Sequence, residues 1–327
     1  MRNGSAIRIH VENDPASAEA LKLTPERLND ALAARPDLRV NTVFSFNDAP
    51  ARFADLARDA EIVFAGRKVN ALGLPNLKWL QSISAGVESM LPYLPPAAIL
   101  TNASGVHGDK AAEFILASVL MLNFQIPRFV SDQQRQLWRP EFGGCLSGKV
   151  ATLLGAGAIG SAAARLLRER GMRIQAITRS GGPREHVDVS KTVDEKDSLL
   201  PQTDFLIASA PLTPETKGMI DRRRLDLLPP RAGVVIVGRA GVFDCGALVD
   251  KLKDGTLSGA VLDVFPIEPL PQDHPIWTAP NLIMTPHCSV DDHSVYLDRC
   301  LDIFLDNLAR YVSGRPLRNV VDRAAGY

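Results

Sequence analysis

An apolar run followed by three glycines, Val150-Ala151-Thr152-Leu153-Leu154-Gly155-Ala156-Gly157-Ala158-Ile159-Gly160, stands near the middle of the chain. A helical pattern over 159–170 follows, so the G-x-G-x-x-G spacing has the strand–turn–helix context that dinucleotide binding requires. Gly155 permits the tight turn, Gly157 lets the backbone approach a pyrophosphate, and Gly160 lets helix and strand pack closely. The N–H groups at the helix start, including those of Ala158 and Ile159, would face the phosphates. The alternative is a glycine turn without a ligand.

The end of the next predicted strand, 172–177, indicates which dinucleotide is bound. An NAD-binding chain usually carries Asp or Glu there, to hold the ribose 2′-hydroxyl. This chain has Thr178, Arg179 and Ser180 instead. A cation with hydroxyl groups suits a 2′-phosphate, and charge-assisted hydrogen bonds are worth roughly 1–3 kcal/mol. We therefore predict NADP(H) in preference to NAD(H), the alternative being that Arg179 is only an exposed loop residue.

The composition argues against several classes of protein. Lys plus Arg equal Asp plus Glu at 37 each over 327 residues, so no net field attracts nucleic acid or an anionic membrane. The four cysteines form no close pair of the kind found in disulfide frameworks or zinc sites. The N-terminal stretch lacks a signal-peptide pattern, and no apolar run reaches the ~18 residues of a membrane span. We expect a cytoplasmic protein with reduced thiols, no metal, and no nucleic-acid or membrane partner.

Short β-type runs alternate with helical patterns, which predicts the α/β class with βαβ units and parallel sheets. A first small domain has predicted strands at 7–11, 39–44, 62–65 and 77–83. A long helix over 109–124 leads to six further strands, at 150–154, 172–177, 204–209, 233–237, 260–263 and 283–284. Six strands with this spacing fit a doubly wound dinucleotide fold. A last helix over 294–311 is expected to return to the first domain.

The predicted domains are therefore a discontinuous substrate-binding domain, 1–102 plus 294–327, and a Rossmann dinucleotide-binding domain, 103–293.

A guanidinium, a carboxylate and an imidazole each follow an apolar run in the second domain. Arg239 ends the strand 233–237, Glu268 lies in a proline-stiffened loop, and His287 follows the run 282–286. Ligands lie at the carboxyl ends of strands in this fold. A free imidazole has a pKa of ~6.5 and is mostly unprotonated at neutral pH, but a neighbouring carboxylate favours the imidazolium. Reducing a 2-oxo acid needs this set: a planar cation for the substrate carboxylate, a proton donor, and a carboxylate that keeps the donor charged.

Each of the three residues also has a structural interpretation. Arg239 suits a structural salt bridge, Glu268 a surface position, and His287 a satisfied structural histidine. Among the other histidines, His107 follows Gly105-Val106 in a linker and could approach the site. In the first domain, the backbone N–H groups of the small loop Ala85-Gly86-Val87 could form an anion-binding nest.

Together these residues resemble the D-isomer-specific 2-hydroxyacid dehydrogenase family over nearly the whole chain. The most specific parts are Leu262-Asp263-Val264-Phe265 with Glu268-Pro269-Leu270, and Thr285-Pro286-His287. The resemblance implies two Rossmann-like or flavodoxin-like parallel-sheet domains with the active site in the cleft between them. It implies that Arg239 binds substrate, that Glu268 partners the histidine, and that His287 is the acid–base residue.

The resemblance also assigns further contacts. The loop of Ala85, Gly86 and Val87 would take the substrate carboxylate, and Asp263 would lie near the nicotinamide amide. The loop 210–216 would lie beside the nicotinamide ribose. Gly238 stands where relatives more often have alanine or serine before the arginine. The remaining expected cofactor contacts are Pro211, Thr216, Val237, Gly238 and Ser289.

Within the family the chain looks most like the glyoxylate/hydroxypyruvate reductases, which often use NADPH. We therefore predict an NADPH-dependent reductase of small 2-oxo acids. A homodimer is expected, because the helix over 109–124 carries more apolar surface than one sheet face needs, and relatives form dimers. The alternatives are an NAD-dependent D-2-hydroxyacid dehydrogenase and a nucleotide-sensing binding protein of the same fold.

Overall fold

The glycine motif joins a buried strand to a helix in the computed structural model of the chain, which describes residues 6–38 and 42–326. The strand Val150–Leu154 is buried along its whole length, and the helix Ala158–Glu169 begins directly after Gly157. The chain divides into two compact units, Met1–Val106 with Asp292–Tyr327, and His107–Asp291. The sequence placed these divisions after residues 102 and 293.

The elements are numbered in chain order. They are β1 (Ile7–Glu12), α1 (Pro25–Ala33), β2 (Thr42–Asn47), α2 (Phe53–Leu56), β3 (Ile62–Ala65), β4 (Trp79–Ser82), β5 (Ile99–Thr101), α3 (Gly108–Asn123), α4 (Ile126–Gln134), β6 (Val150–Leu154), α5 (Ala158–Glu169), β7 (Arg173–Ile177), β8 (Val189–Lys191), β9 (Phe205–Ala208), α6 (Arg222–Leu225), β10 (Gly233–Ile236), α7 (Cys245–Lys253), β11 (Gly259–Leu262), β12 (Leu282–Met284) and α8 (Tyr296–Val312).

The first unit is built on a five-stranded parallel sheet in the order β2-β1-β3-β4-β5. Helix α1 begins where the sequence predicts it, because the Thr24 side chain accepts a hydrogen bond from the Arg27 N–H (3.3 Å) and Pro25 suits the first turn. Helix α8 packs on this sheet, where the ring of Phe304 stacks on Trp79 at 5.3 Å between centroids. The last helix thus completes the core of the first unit.

The second unit is built on a seven-stranded parallel sheet in the order β12-β11-β10-β9-β6-β7-β8. Apolar cores cover both of its faces, as a parallel sheet requires. The strand order reverses between β6 and β9, and ligands bind at such a switch point, outside the carboxyl ends of the strands. The glycine motif follows β6 at this point.

Two parallel-sheet α/β domains were predicted, and the structure confirms them. It adds two strands that the sequence analysis did not assign. β5 is three residues long, and β8, Val-Ser-Lys, is half-buried at the sheet edge with no apolar pattern. The strand predicted over 39–44 is observed from Thr42 as β2, while residues 39–41 lie outside the described part of the chain.

Helix α3 buries one apolar face inside its own unit. Ile115, Val119 and Leu122 are buried against α5 and the second sheet, whereas Phe114, Leu116, Leu120 and Met121 are only partly buried. Among the described residues, no single helix has the length and apolar character to cross a membrane. Helices α3 and α4 reach that length and apolar character only when they are taken together, and the chain bends by 60° between them.

Candidate active site

The three motif glycines meet different surroundings at the carboxyl end of β6. Gly155 has φ +92°, and a Cβ there would lie 3.0 Å from the backbone of Ala210. A Cβ at Gly160 would lie 2.1 Å from the Gly155 carbonyl oxygen. A Cβ at Gly157, the N-cap of α5, would meet nothing within 4 Å. The fold therefore requires Gly155 and Gly160, whereas the space beside Gly157 is open to a ligand.

Hydroxyl groups in the loop after β7 make hydrogen bonds to other groups of the same loop. Thr178 is buried and its Oγ1 accepts a hydrogen bond from the Gly181 N–H (3.0 Å). Arg179 and Ser180 are exposed, and Arg184 lies 3.4 Å from the Ser180 hydroxyl. A hydrogen bond from Thr213 and, more weakly, the charge of Arg179 hold the pKa of Glu215 below its usual value. Arg179 and Ser180 are thus the accessible polar groups of this loop, whereas the Thr178 hydroxyl shapes its turn.

The loop after β9 also uses its hydroxyl groups for its own structure. Thr216 Oγ1 donates to the Pro211 carbonyl (2.7 Å) and accepts from the Thr213 N–H (2.8 Å). The next strand ends close by, since the N–H groups of Val237 and Gly238 both donate to the Ala208 carbonyl at 3.0 Å.

The close approach of these two loops explains the glycine before Arg239. A Cβ at Gly238 would lie 2.7 Å from the Ala210 carbonyl oxygen, so the alanine or serine more usual in relatives does not fit this backbone.

Asp263, at the end of β11, organises the segment that follows β12. Its Oδ1 accepts hydrogen bonds from Thr285 Oγ1 (2.6 Å) and from the N–H groups of Cys288 (3.1 Å) and Ser289 (3.2 Å). Its Oδ2 and the Ser289 Oγ are buried and make no hydrogen bond within the described part of the chain. Buried polar groups are normally paired, so both atoms can take a polar group of a ligand.

The imidazole and the carboxylate predicted from sequence form a pair. His287 lies just after β12 with φ +50°, and its N–H donates to the Asp263 carbonyl (2.9 Å). Its Nδ1 lies 2.7 Å from Glu268 Oε2, while Glu268 Oε1 accepts from the Phe265 N–H (2.8 Å). Both side chains are partly exposed, at 43% and 36%. The pair can therefore meet a ligand from solvent.

Arg239 lies near this pair at the end of β10. Its Nη1 donates to the Gly238 carbonyl (3.0 Å). Burial by itself would raise the pKa of Glu268, but the hydrogen bonds from His287 and Phe265, with the charges of His287 and Arg239, lower it below its usual value. Glu268 is therefore a carboxylate at neutral pH, next to an imidazole and a guanidinium.

The small loop that was predicted to bind an anion lies in the first unit. Ala85, Gly86 and Val87 follow β4, with the Ala85 carbonyl accepting from Asn102 Nδ2 (2.9 Å) and the Val87 carbonyl accepting from the Met90 N–H (2.9 Å). These contacts hold the loop through its carbonyl groups.

The sequence left open whether His107 approaches the site. In the structure, the charges of Arg239 and His287 both lower the pKa of His107, after the larger effect of burial. The available signal was its position directly before α3, which did not distinguish it from the other histidines. Across the described residues, no group of three or more His, Cys, Asp or Glu side chains is arranged to hold a metal ion.

Comparison with known proteins places this geometry among dehydrogenases. Residues 116–289 match the sequence profile described as D-isomer specific 2-hydroxyacid dehydrogenase, NAD binding domain. Glyoxylate/hydroxypyruvate reductase A of Salmonella newport is 28% identical over 303 residues, which cover 90% of this chain and 93% of that protein.

Two solved structures are similar over almost the whole chain. A D-isomer specific 2-hydroxyacid dehydrogenase family protein from Aeromonas salmonicida is 30% identical, with a TM-score of 0.80, covering 97% of this chain and 100% of that one. An NADPH-dependent glyoxylate/hydroxypyruvate reductase from Sinorhizobium meliloti, in complex with NADP and sulfate, is 26% identical with a TM-score of 0.78, covering 98% and 100%.

Proposed function

The chain belongs to the D-isomer specific 2-hydroxyacid dehydrogenase family, so it is an NAD(P)-dependent oxidoreductase of 2-hydroxy acids, and we propose that it reduces small 2-oxo acids with NADPH. The observation that carries this proposal is the 2.7 Å pair between His287 Nδ1 and Glu268 Oε2, with Arg239 beside it. Relatives named as glyoxylate/hydroxypyruvate reductases support a substrate of that size and charge.

His287 is the proposed proton donor to the substrate carbonyl oxygen. Because Nδ1 is taken by Glu268, the other ring nitrogen, Nε2, is the one that can donate. The carboxylate of Glu268 lies 2.7 Å from Nδ1 and holds the ring in one orientation. The Glu268 Oε1 atom in turn accepts from the Phe265 N–H. The pair thus supplies an oriented proton donor.

Arg239 is the proposed partner of the substrate carboxylate. A guanidinium presents a planar fork that matches a carboxylate, and it can polarise the adjacent carbonyl as well. We propose that the backbone N–H groups of Ala85, Gly86 and Val87 contribute to the same carboxylate, since consecutive N–H groups form anion-binding concavities.

The residues at the second sheet fit a nicotinamide dinucleotide. The open space beside Gly157 accommodates a pyrophosphate against the start of α5, where the N–H groups of Ala158, Ile159 and neighbours are available. The unpaired Asp263 Oδ2 and Ser289 Oγ suit the carboxamide end. The bound cofactor would supply the hydride. Further proposed contacts are Gly155, Gly160, Pro211, Thr216, Val237 and Gly238.

NADP(H) is the proposed form of the cofactor because the end of β7 carries no acidic residue. Arg179 and Ser180 are exposed there and can hold a 2′-phosphate, whereas Thr178 contributes by shaping the turn. The NADP complex of the Sinorhizobium meliloti relative supports this assignment.

The proposed function is tested by mixing the enzyme with NADPH and a panel of 2-oxo acids, glyoxylate and hydroxypyruvate included, and following absorbance at the reduced nicotinamide band. We expect turnover, and we expect His287→Ala to lower kcat by ~10²–10⁴, the usual contribution of a positioned acid. His186→Ala, at a partly exposed histidine beside Glu185, is the matched control.

Full turnover by His287→Ala would assign the acid to another residue. Tight binding of NADPH without turnover of any panel member would instead favour a nucleotide-sensing binding protein.

We also propose a homodimer, with the contact in the segment after α4. Trp138 and Phe142 are 95% and 93% exposed. Ion pairs fix the segment between them: Arg139 pairs with Asp132, and Glu141 pairs with Arg128 and Arg231. Anchored aromatic side chains are typical of protein interfaces, because they bury much area at low entropic cost.

A further inference from the structure

A second histidine lies against the segment that carries His287. His107 is the first residue of the second unit and immediately precedes α3, and its side chain is only 13% exposed. It contacts the end of residues 287–291, a segment that we call the histidine strap. None of the roles proposed above uses His107, and the following inference rests on the proposed role of His287.

The contacts of His107 define its protonation site. Nδ1 lies 3.2 Å from the Val290 carbonyl oxygen and 3.3 Å from Asp291 Oδ1. Both partners are acceptors, so Nδ1 must carry a proton whatever the charge of the ring. In the neutral ring the Nε2 atom is then unprotonated.

The histidine strap is held at both ends. At its start, Asp263 Oδ1 accepts from the N–H groups of Cys288 and Ser289. At its end, His107 bonds to Val290 and Asp291, and Lys110 Nζ donates to the Asp291 carbonyl. Val290 is buried in the core between these two anchors. Loss of the His107 anchor would leave the bond from Lys110 as the remaining anchor described here for the end of the strap beyond the core.

Several charged groups face His107 from other elements. Asp291 lies at the end of the strap, Arg239 after β10, and His287 at the start of the strap, while Lys110 belongs to its own helix. Burial is the largest influence and lowers the pKa of His107. Arg239 and His287 lower it further, and only Asp291 and the Val290 bond act in the opposite direction. The ring is therefore neutral at neutral pH.

We infer that His107 is a positioning residue for the proposed proton donor: its Nδ1–H, which contacts Val290 and Asp291, fixes the strap that carries His287. This matters because small displacements of a reacting group cost large factors in rate.

Kinetics with NADPH and the best 2-oxo acid test the inference. His107→Ala should lower kcat by roughly tenfold with less change in KM, since it acts through His287. His107→Asn places an amide N–H about where Nδ1 stands and should restore most of kcat. His186→Ala should match wild type throughout.

NMR of the histidine rings in the cofactor-free, full-length protein gives a readout that does not depend on turnover. The His107 Nδ1 atom should carry a proton at pH 7. A neutral ring with its proton on Nε2 would overturn the inference even if 2-oxo acids are reduced.

Wild-type kcat in His107→Ala would overturn it as well. If His107→Ala fails to fold, His107→Asn and the wild-type spectra still decide. A protein that reduces no 2-oxo acid contradicts the proposed function, while the NMR result continues to test the state of His107.

Discussion

At the scale of single residues, Gly157 and Gly160 are needed for different reasons. A side chain at Gly160 would collide with the Gly155 carbonyl oxygen at 2.1 Å, so its absence is a condition of folding. Gly157 has φ −76° and no neighbour within 4 Å of a Cβ, so the fold tolerates a side chain there. Only a ligand that approaches the start of α5 would require glycine at this position.

Gly157→Ala therefore separates binding from stability. We expect thermal unfolding like that of wild type, and a Kd for NADPH raised at least about tenfold, equivalent to ~1.4 kcal/mol. Fluorescence titration of NADPH measures the Kd. Gly73→Ala, at an equally open glycine of the first unit, is the control and should leave binding unchanged. An unaltered Kd in Gly157→Ala would mean that the pyrophosphate lies elsewhere.

Arg179 is the residue expected to select the cofactor. Arg179→Ala should reduce the ratio of kcat/KM for NADPH over NADH by about tenfold or more, because charge-assisted hydrogen bonds to a 2′-phosphate are worth roughly 1–3 kcal/mol. The substitution should lower kcat/KM for NADPH and leave kcat/KM for NADH unchanged. Arg173→Ala, at the opposite end of β7, is the matched control. Equal discrimination in Arg179→Ala and wild type would refute the assignment.

At the scale of elements, the carboxyl ends of three strands meet around one buried carboxylate. Glu12, at the end of β1, has a fully buried side chain. Its oxygens accept from Asn47 Nδ2 at the end of β2 (2.8 Å) and from Arg67 Nε after β3 (3.0 Å), and Oε2 lies 3.1 Å from His10 Nε2. Burial would raise the pKa of Glu12, but these hydrogen bonds and the charge of Arg67 lower it. The network links β1 to the two strands on either side of it.

Glu12→Gln should destabilise the first unit by about 3 kcal/mol at pH 7, because it leaves a largely buried guanidinium without its counter-charge. Since the pKa of Glu12 is lowered below its usual 4.5, the stabilisation is present above that pH and is lost as pH falls further. The difference between variant and wild type should therefore shrink in acid. Equilibrium urea unfolding at pH 7 and pH 4 measures it.

The control for this network is Glu19→Gln, which removes an exposed carboxylate paired with Lys22. It should have little effect at either pH, because exposed pairs contribute little. A pH-independent loss in Glu12→Gln would indicate a packing defect and not an electrostatic one.

At the scale of the whole molecule, the exposed aromatic residues predict an association state. Trp138→Ser combined with Phe142→Ser should convert a dimer, of twice the 35.4-kDa chain mass, into a monomer. Sedimentation velocity at micromolar concentration measures this. Trp277→Ser, at a half-exposed tryptophan elsewhere in the second unit, should leave the dimer intact. A monomeric wild type would refute the dimer proposal.

Most of the architecture was predictable because its signals are local. An apolar run such as Val150–Leu154 predicts a strand, and a residue such as Gly155 predicts a turn, from the residues next to them in the chain. The short strand β8 was missed because Val-Ser-Lys has no apolar pattern, and it becomes a strand by pairing with β7. Helix α3 has an apolar surface that the sequence shows, but the partner that covers it is set by how α5 and the second sheet pack.

The amino-acid sequence by itself determined the α/β class, the glycine turn and the three residues proposed for catalysis, because each follows from a short pattern at the end of an apolar run. Only the tertiary structure decided which groups meet. It paired His287 with Glu268 across 19 positions of the chain, engaged the Thr178 and Thr216 hydroxyl groups in their own loops, and brought His107 against Val290 and Asp291. Contacts between residues far apart in the chain depend on how the sheet orders its strands, and no local pattern encodes that order.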